Sequence, residues 1–182
     1  MTDNTPTYPQ RRSIRLIEYD YSTEGLYFIT ICSHRQICIF GQINSDSEMI
    51  LNDAGKLVEQ TWYDLPNHIP NIQLDAWCVM PNHVHGIIVI DNVGAGSKPA
   101  HKLDKKRTGL EPAPITLSEI VRQLKTFSSR KINKLNGSVG NSVWQRNYYE
   151  HIIRNNTSYM NIAQYINTNP MNWETDENYK IN

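Results

Sequence analysis

The apolar residues of this chain occur in short β-branched and aromatic runs that alternate with amphipathic helical stripes. Four runs have the composition of β-strands, namely residues 27–33, 37–43, 74–80 and 83–90. Three segments carry apolar side chains at helical spacing, namely residues 53–65, 117–127 and 155–168. The aromatic residues 143–153 predict a further strand or an extended segment. This order predicts an α+β fold in which helices pack on an antiparallel sheet.

Short turn signals set the expected pairing of the strands. Because residues 37–43 follow residues 27–33 closely, we expect the two runs to form a hairpin. Residues 74–80 are expected to pair with residues 83–90 around a turn at Pro81-Asn82. Alternatively, Pro81 lies within one continuous edge strand, where a missing backbone donor is tolerated.

Capping residues and prolines set the expected ends of the helices. Asn52 is a suitable N-cap for the first helix, and Pro66 is expected to end it. Thr116 forms a capping box with the glutamate three residues later, before the second helix. The last helix is expected to be capped by Asn156 or Thr157 and to end before a proline at position 170.

The 182 residues are enough for one domain with its own core. We expect residues 1–24 to form a basic N-terminal arm, residues 25–173 a single catalytic domain, and residues 174–182 a C-terminal tail. Residues 91–114 are rich in Gly, Pro, Ala, Ser and Lys and lack apolar periodicity, which predicts a flexible insertion.

The overall composition excludes some classes of protein. No apolar run approaches the roughly 18 residues that a transmembrane helix needs, so no membrane partner is expected. The first residues lack the apolar core of a secretory signal. Three cysteines are a sparse and odd number, which favours a reduced cytoplasmic protein over a disulfide scaffold. The formal net charge is zero, so any nucleic-acid site must be sought in the local distribution of charge.

One segment is strongly basic although the whole chain is neutral. Residues 98–134 contain ten Lys and Arg residues against three acidic ones. Such an asymmetry is typical of a phosphate-binding face, and Arg122, Lys125 and Arg130 share the region of the second helix. An alternative is an exposed loop followed by a solvated amphipathic helix. Three arginines of the N-terminal arm are candidates for contact with flanking DNA, namely Arg11, Arg12 and Arg15.

The motif His83-Val84-His85 is the sharpest local feature. On a strand the two histidines project from the same face, about 7 Å apart along the backbone, and can converge on one divalent cation. Alternatively, they are partly exposed, hydrogen-bonded and inert. Two histidines do not complete a metal site, because Mg²⁺ or Mn²⁺ needs oxygen ligands and Zn²⁺ a third strong ligand.

Tyr165 and Asn169 are four residues apart and share one face of the last helix. One interpretation is that the Tyr165 ring packs inward and Asn169 caps the helix. The other is that Tyr165 is a nucleophile that attacks phosphorus. A phenol has an ordinary pKa near 10 and needs a metal or a base to help it, and a metal bound by the histidine pair would give that help.

Three separated segments carry further information, namely MPNHVHGIIVI (80–90), WQRNYYEHIIRN (144–155) and YINTNP (165–170). Together they resemble the HUH single-tyrosine transposases, and most closely the branch of REP-associated tyrosine transposases. They occur in the same order as in that family. The resemblance covers about residues 11–173 and leaves the insertion at 91–114 unmatched.

The resemblance implies a ferredoxin-like α+β core with a central antiparallel sheet and helices packed on one face. It implies that His83 and His85 bind Mg²⁺ or Mn²⁺, that Tyr165 is the nucleophile and that Asn169 is a candidate third ligand. Some relatives carry glutamine at the position of Asn169, and asparagine has a shorter reach.

The implied partner is single-stranded or hairpin DNA, which is cleaved and rejoined through a 5′-phosphotyrosine intermediate. Arg146 and Tyr149 lie in the second matching segment and are further candidates for DNA contact. The resemblance places such a protein in the bacterial cytoplasm, associated with the nucleoid, as a monomer or a homodimer. From the residues alone, two other functions stay open. One is a metal-dependent phosphodiesterase or nuclease, and the other is a domesticated DNA-binding protein that does not cleave.

Overall fold

The computed structural model describes residues 24–91 and 115–180. Arg11, Arg12 and Arg15, with the rest of the predicted arm up to residue 23, lie outside the described residues. The same holds for residues 92–114 of the predicted insertion and for residues 181–182.

Four strands form the central sheet, namely β1 (Gly25–Cys32), β4 (Ile72–Val79), β5 (His83–Ile90) and β6 (Tyr149–Ile153). Their order across the sheet is β4-β5-β1-β6, and every neighbouring pair is antiparallel. Two further strands, β2 (Gly41–Ile43) and β3 (Met49–Leu51), form a small separate ribbon.

Three α-helices accompany these strands in the described residues. They are α1 (Asp53–His68), α2 (Leu117–Leu135) and α3 (Asn156–Thr168), and a 3-10 segment (Pro170–Thr175) follows α3. Since α1 precedes β4 and α2 precedes β6, the sheet strands and the first two helices follow the β-α-β-β-α-β order of ferredoxin-like folds. The predicted α+β class with a ferredoxin-like antiparallel core is confirmed.

The main hydrophobic core lies between the sheet and the two long helices. Alternate side chains of β1 point into it, including Tyr27, Ile29 and Ile31, and they meet Trp62 of α1 and Leu124 of α2. The two helices of the ferredoxin-like core therefore pack on one face of the sheet, as expected.

Helix α3 lies against the opposite face of the sheet. There Ile166 of α3 packs with Phe28 of β1, Ile87 of β5 and Ile153 of β6 in a second, smaller cluster. Because neighbouring residues of a strand alternate faces, the odd-numbered residues of β5 from position 83 to 87 face α3. This small layer is where the predicted site residues of β5 and α3 can meet.

Several predictions about local structure are confirmed and others are wrong. β4 and β5 pair around Pro81-Asn82, as predicted, so Pro81 is not inside a continuous edge strand. The predicted hairpin of residues 37–43 with β1 is wrong. Both edges of β1 are occupied by β5 and β6, so the later part of that run pairs with β3 instead.

Two helix ends differ from the prediction. α1 runs through Pro66 to His68, because buried Leu65 and Ile69 anchor the last turn and the Ile69 amide bonds to the Leu65 carbonyl. The N-cap of α3 is Asn155, whose side chain accepts from the Ser158 amide, one residue before the predicted cap. Among the described residues, no helix combines the length and the apolar character required to cross a membrane.

Gly86 of β5 provides a test of the packing behind the site. A Cβ there would lie 2.7 Å from ring atoms of both Trp62 and Trp77, which stack on each other at 4.0 Å. We expect Gly86→Ala to lower the free energy of unfolding by about 1–3 kcal/mol, because two packed rings must move. Urea titration followed by circular dichroism measures this change.

The matched control is Gly25→Ala at the start of β1. There the nearest atom to the added Cβ is 3.6 Å away, an ordinary contact. The control is expected to stay within about 0.5 kcal/mol of the wild type. Equal stability of the two variants would contradict the packing argument.

Candidate active site

The imidazoles of His83 and His85 converge on one point between the sheet and α3. Their Nε2 atoms are 2.9 Å apart, and both side chains are buried. The hydroxyl oxygen of Tyr165 lies 3.2 Å from the Nε2 atom of His85. The fold therefore brings together a pair of residues from β5 and one from α3 that the sequence analysis identified separately.

The ring of His83 is held by Asn82. His83 Nδ1 lies 2.8 Å from Asn82 Oδ1, and the amide nitrogen of Asn82 donates to the carbonyls of Gln36 and Asn178. The Asn82 oxygen is thus the acceptor, and His83 Nδ1 carries the proton. In the neutral ring, Nε2 then has a free lone pair that points into the site.

The ring of His85 is held by two residues of β1. Its Nδ1 atom lies 2.8 Å from the hydroxyl of Thr30, and its face stacks on Phe28 with ring centroids 5.5 Å apart. When Nδ1 donates to Thr30, the Nε2 atom of His85 is also unprotonated. Such hydrogen bonds to the outer nitrogen fix the orientation of metal-binding histidines.

Burial keeps both histidines neutral near pH 7. It lowers the pKa of His83 to about 4, although the carboxylate of Asp176 acts in the other direction. It lowers the pKa of His85 to about 3, with a further contribution from neighbouring His83. Two neutral nitrogen lone pairs this close repel each other unless a proton or a cation lies between them.

Tyr165 lies at the open side of this cluster. Its side chain is 43% exposed, and its hydroxyl donates to Asp176 Oδ2 over 3.1 Å. Burial of the hydroxyl and the nearby Asp176 carboxylate raise the pKa of Tyr165 above its ordinary value. The residue is therefore a protonated phenol that solvent and a substrate can reach.

Asn169 follows Tyr165 by one helical turn and is almost completely buried. Its amide nitrogen donates to Asp176 Oδ2 over 2.9 Å. Its oxygen is buried and has no hydrogen-bond partner within the described residues. A buried amide oxygen without a donor is rare in folded proteins. It is therefore a candidate ligand for a cation.

Asp176 is a site residue that the sequence analysis missed, since it assigned residues 174–182 to a tail. Its carboxylate side chain is 1% exposed and approaches His83 Nε2 to 4.0 Å. Burial raises its pKa, but hydrogen bonds from Asn169 and from the Asn178 amide outweigh burial, and the net pKa is lowered. An acidic residue soon after the helix that carries Tyr165 was the one available signal, and acidic residues are common in tails.

These side chains fit a divalent cation. His83, His85 and Asp176 each offer one atom, and all three atoms lie within 4.8 Å of one another. Adjacent ligands at about 2.1 Å from an octahedral ion are about 3 Å apart, which matches the separation of the two Nε2 atoms. A mixed set of imidazole and oxygen ligands suits a divalent cation.

Comparisons with known proteins identify what part of the chain resembles. A family model described as "Transposase IS200 like" matches residues 111–169, the stretch that contains Tyr165 and Asn169. This stretch is therefore similar to the IS200-like transposases. An uncharacterized protein of Haemophilus influenzae is 42% identical to this chain over 173 residues, which are 93% of either chain.

One solved transposase structure shares the fold of this chain. The structure of a REP-associated tyrosine transposase bound to a REP hairpin superimposes with a TM-score of 0.54 at 19% identity, covering 87% of this chain and 73% of that chain. The crystal structure of a putative transposase from Deinococcus radiodurans gives a TM-score of 0.46 at 16% identity, over 85% of this chain and 95% of that chain.

The predicted DNA-contact residues that the structure describes occupy different parts of the chain. Arg122 and Arg130 are exposed on α2, which covers the sheet face opposite to the histidines, and Arg122 pairs with Glu119. Arg146 is exposed in the segment before β6. Tyr149 lies closest to the site, since its ring meets the edge of Phe28 at 6.2 Å.

Lys125 of α2 makes contacts inside the protein. Its ammonium group donates to the carbonyls of residues 145, 146 and 147 over 3.0–3.3 Å. The ammonium also lies over the ring of Tyr148, and burial lowers the pKa of Lys125 to about 8. Lys125 therefore fixes the chain that leads into β6.

Replacement of Lys125 tests this structural role. Lys125→Met keeps an apolar stem but leaves three carbonyls without their donor, so we expect the free energy of unfolding to fall by about 1–3 kcal/mol. The control Lys134→Met removes an exposed lysine from the same helix and should change stability by less than about 0.5 kcal/mol. Urea denaturation of both variants measures the difference, and equal effects would contradict the role.

Proposed function

We propose that this protein is a transposase that cleaves and rejoins single-stranded or hairpin DNA through a covalent bond to Tyr165. The observation that carries this proposal is the 3.2 Å approach of the Tyr165 hydroxyl to His85, at a point where Tyr165 is 43% exposed. A nucleophile that is both accessible and next to a cation site can attack a phosphodiester laid across that site.

We propose that His83, His85 and Asn169 hold a divalent ion, Mg²⁺ or Mn²⁺. The paired Nε2 atoms and the unpartnered Asn169 oxygen support this ligand set. When bound, such an ion polarises a non-bridging phosphate oxygen and stabilises the charge that develops in the transition state. The protein's own contribution is to hold the two rings through Asn82 and Thr30 before any ion binds.

In the proposed reaction, each phosphorus–oxygen bond that breaks is replaced by a new one. The Tyr165 oxygen forms a bond to phosphorus as the bond to the 3′-oxygen breaks, which gives a 5′-phosphotyrosine link and a free 3′-hydroxyl. A 3′-hydroxyl of another end can then displace the phenolate and restore a phosphodiester without ATP. A phenolate is a better leaving group than a serine alkoxide, because its conjugate acid is more acidic.

Other tyrosines near the site have different surroundings. The hydroxyl of Tyr159 donates to Asp75 over 2.9 Å, on the side of α3 that faces β4. Tyr148 lies under the ammonium group of Lys125. Tyr149 is 47% exposed and contacts Phe28, which favours a role in stacking on an unpaired base.

The DNA partner is proposed from the family and from local chemistry. The related transposase in the hairpin complex is bound to a REP hairpin, and we propose the same class of ligand here. An open cavity of about 510 Å³ beside the site is lined in part by Phe28, Tyr149, Asn155 and Asn161, a mixture of aromatic and amide groups suited to unpaired bases. On this proposal the basic arm, Arg122, Arg130 and Arg146 contact phosphates outside the site.

Replacing single tyrosines tests the nucleophile. With a single-stranded hairpin oligonucleotide and Mn²⁺, the wild type should give a protein–DNA band that resists denaturation. Tyr165→Phe should abolish that band, because the attacking oxygen is gone, while Tyr149→Phe and Tyr159→Phe should retain it. Denaturing gel electrophoresis of labelled DNA measures the adduct.

The same gel separates the alternatives. Free cleaved DNA without any adduct would indicate a hydrolase that uses the histidine pair and has no need of Tyr165. Binding without cleavage would indicate a protein that has kept the fold alone. An adduct that persists in Tyr165→Phe would mean that the nucleophile has been assigned wrongly.

Metal removal tests the cation site. Treatment with EDTA should reduce adduct formation by at least about 100-fold, since the ion is expected to supply several kcal/mol of transition-state stabilisation. Added Mn²⁺ should restore the activity of the wild type but not that of His83→Ala. Full activity in EDTA would contradict a metal-dependent mechanism.

A further inference from the structure

We propose that Asp176 is a further ligand of the divalent ion and that its second carboxylate oxygen holds the Tyr165 hydroxyl beside that ion. This inference rests on the metal site proposed above and extends it to the chain that follows α3. It makes the segment after Pro170 part of the active site.

The two oxygens of Asp176 face different partners. Oδ1 lies 4.0 Å from His83 Nε2, and a carboxylate oxygen of Asp176 lies within 4.8 Å of the ligand nitrogens of both histidines. Oδ2 accepts hydrogen bonds from Tyr165 at 3.1 Å and from Asn169 at 2.9 Å. One carboxylate therefore spans the distance between the cation site and the nucleophile.

The charge of Asp176 also favours a cation beside it. Its side chain is 1% exposed, and within residues 24–91 and 115–180 the one basic side chain within 4.0 Å is His83. A histidine whose Nε2 binds a metal is neutral, so it cannot balance the carboxylate. A buried anion without a positive partner is strongly unfavourable, and a divalent ion at this position would supply the missing charge.

Neighbouring residues hold the Asp176 carboxylate in place. The Asn178 amide donates to Asp176 Oδ1 over 2.6 Å, and the Asn178 carbonyl accepts from Asn82, the residue that orients His83. Trp173 lies with its ring centroid 6.0 Å from that of His83. The segment that carries Asp176 is therefore held by Asn82, the residue that also orients His83.

The second part of the proposal follows from the choice of acceptors for Tyr165. Its hydroxyl lies within hydrogen-bond distance of His85 Nε2 and of Asp176 Oδ2. Once His85 Nε2 binds the ion, its lone pair is no longer available to the phenol. Asp176 Oδ2 then keeps the Tyr165 oxygen next to the ion.

The test is a titration of Mn²⁺ into the full-length protein in the absence of DNA, followed by electron paramagnetic resonance of free Mn²⁺. Asp176→Asn keeps the size of the side chain and removes its charge, and we expect the affinity for Mn²⁺ to fall at least about 10-fold. Glu174→Gln removes an equal charge from an exposed neighbour and should change the affinity by less than about twofold.

A second measurement guards against a folding defect. The rise in melting temperature on adding Mn²⁺ should be large for the wild type and for Glu174→Gln, and small for Asp176→Asn. Circular dichroism in EDTA should give the same spectrum for all three proteins. A variant that is folded in EDTA but gains little from Mn²⁺ has lost a ligand and not its structure.

The outcomes separate this inference from the proposed function. If Asp176→Asn binds Mn²⁺ as tightly as the wild type, Asp176 is not a ligand, and this inference is wrong even if Tyr165 still forms the DNA adduct. If Mn²⁺ binds through Asp176 and the histidines but no adduct forms, the ligand assignment stands and the proposed strand transfer fails.

Discussion

The alternation of side chains along β5 is the constraint on which the site depends. Val84, Ile88 and Ile90 enter the main core, so the register of the strand is fixed by apolar burial. A shift by one residue would turn these side chains toward α3 and turn His83 and His85 into the core between the sheet and the two long helices. Apolar packing on one face of β5 therefore sets the direction in which His83 and His85 project from the other face.

The polar cluster between the sheet and α3 is held by hydrogen bonds from residues around it. Asn82 and Thr30 hold the outer nitrogens of the two rings, and Asn82 also binds the segment after α3 through the Asn178 carbonyl. What the cluster lacks is a partner for the Asn169 oxygen within the described residues. Fixed rings with one unsatisfied oxygen are consistent with the proposed cation site.

The basic residues predicted on α2 and the candidate active site lie on opposite faces of the sheet. Arg122, Lys125 and Arg130 lie on α2, which belongs to the layer behind the sheet. The ammonium group of Lys125 donates hydrogen bonds to three carbonyls within the protein. None of these three residues lies in the layer that carries Tyr165, and the aromatic residues Phe28 and Tyr149 are closer candidates for contact with DNA.

Features that depend on local periodicity could be predicted from the amino-acid sequence. They are the strand at β5, the turn at Pro81-Asn82, the common face of His83 and His85, and the spacing of Tyr165 and Asn169 on one helix, and all follow from neighbours a few residues apart. The resemblance to single-tyrosine transposases rested on the same segments and agrees with the family whose model matches residues 111–169.

Contacts between distant residues follow from the folded domain alone. Asp176 enters the site because Asn82 and Asn178 tie its segment to β5, and no periodic pattern distinguishes Asp176 from its acidic neighbours Glu174 and Glu177. The pairing of residues 41–43 with β3 was decided by competition, since β5 and β6 already occupy both edges of β1. Such contacts join residues that are far apart in the sequence, so they depend on the folding of the whole domain.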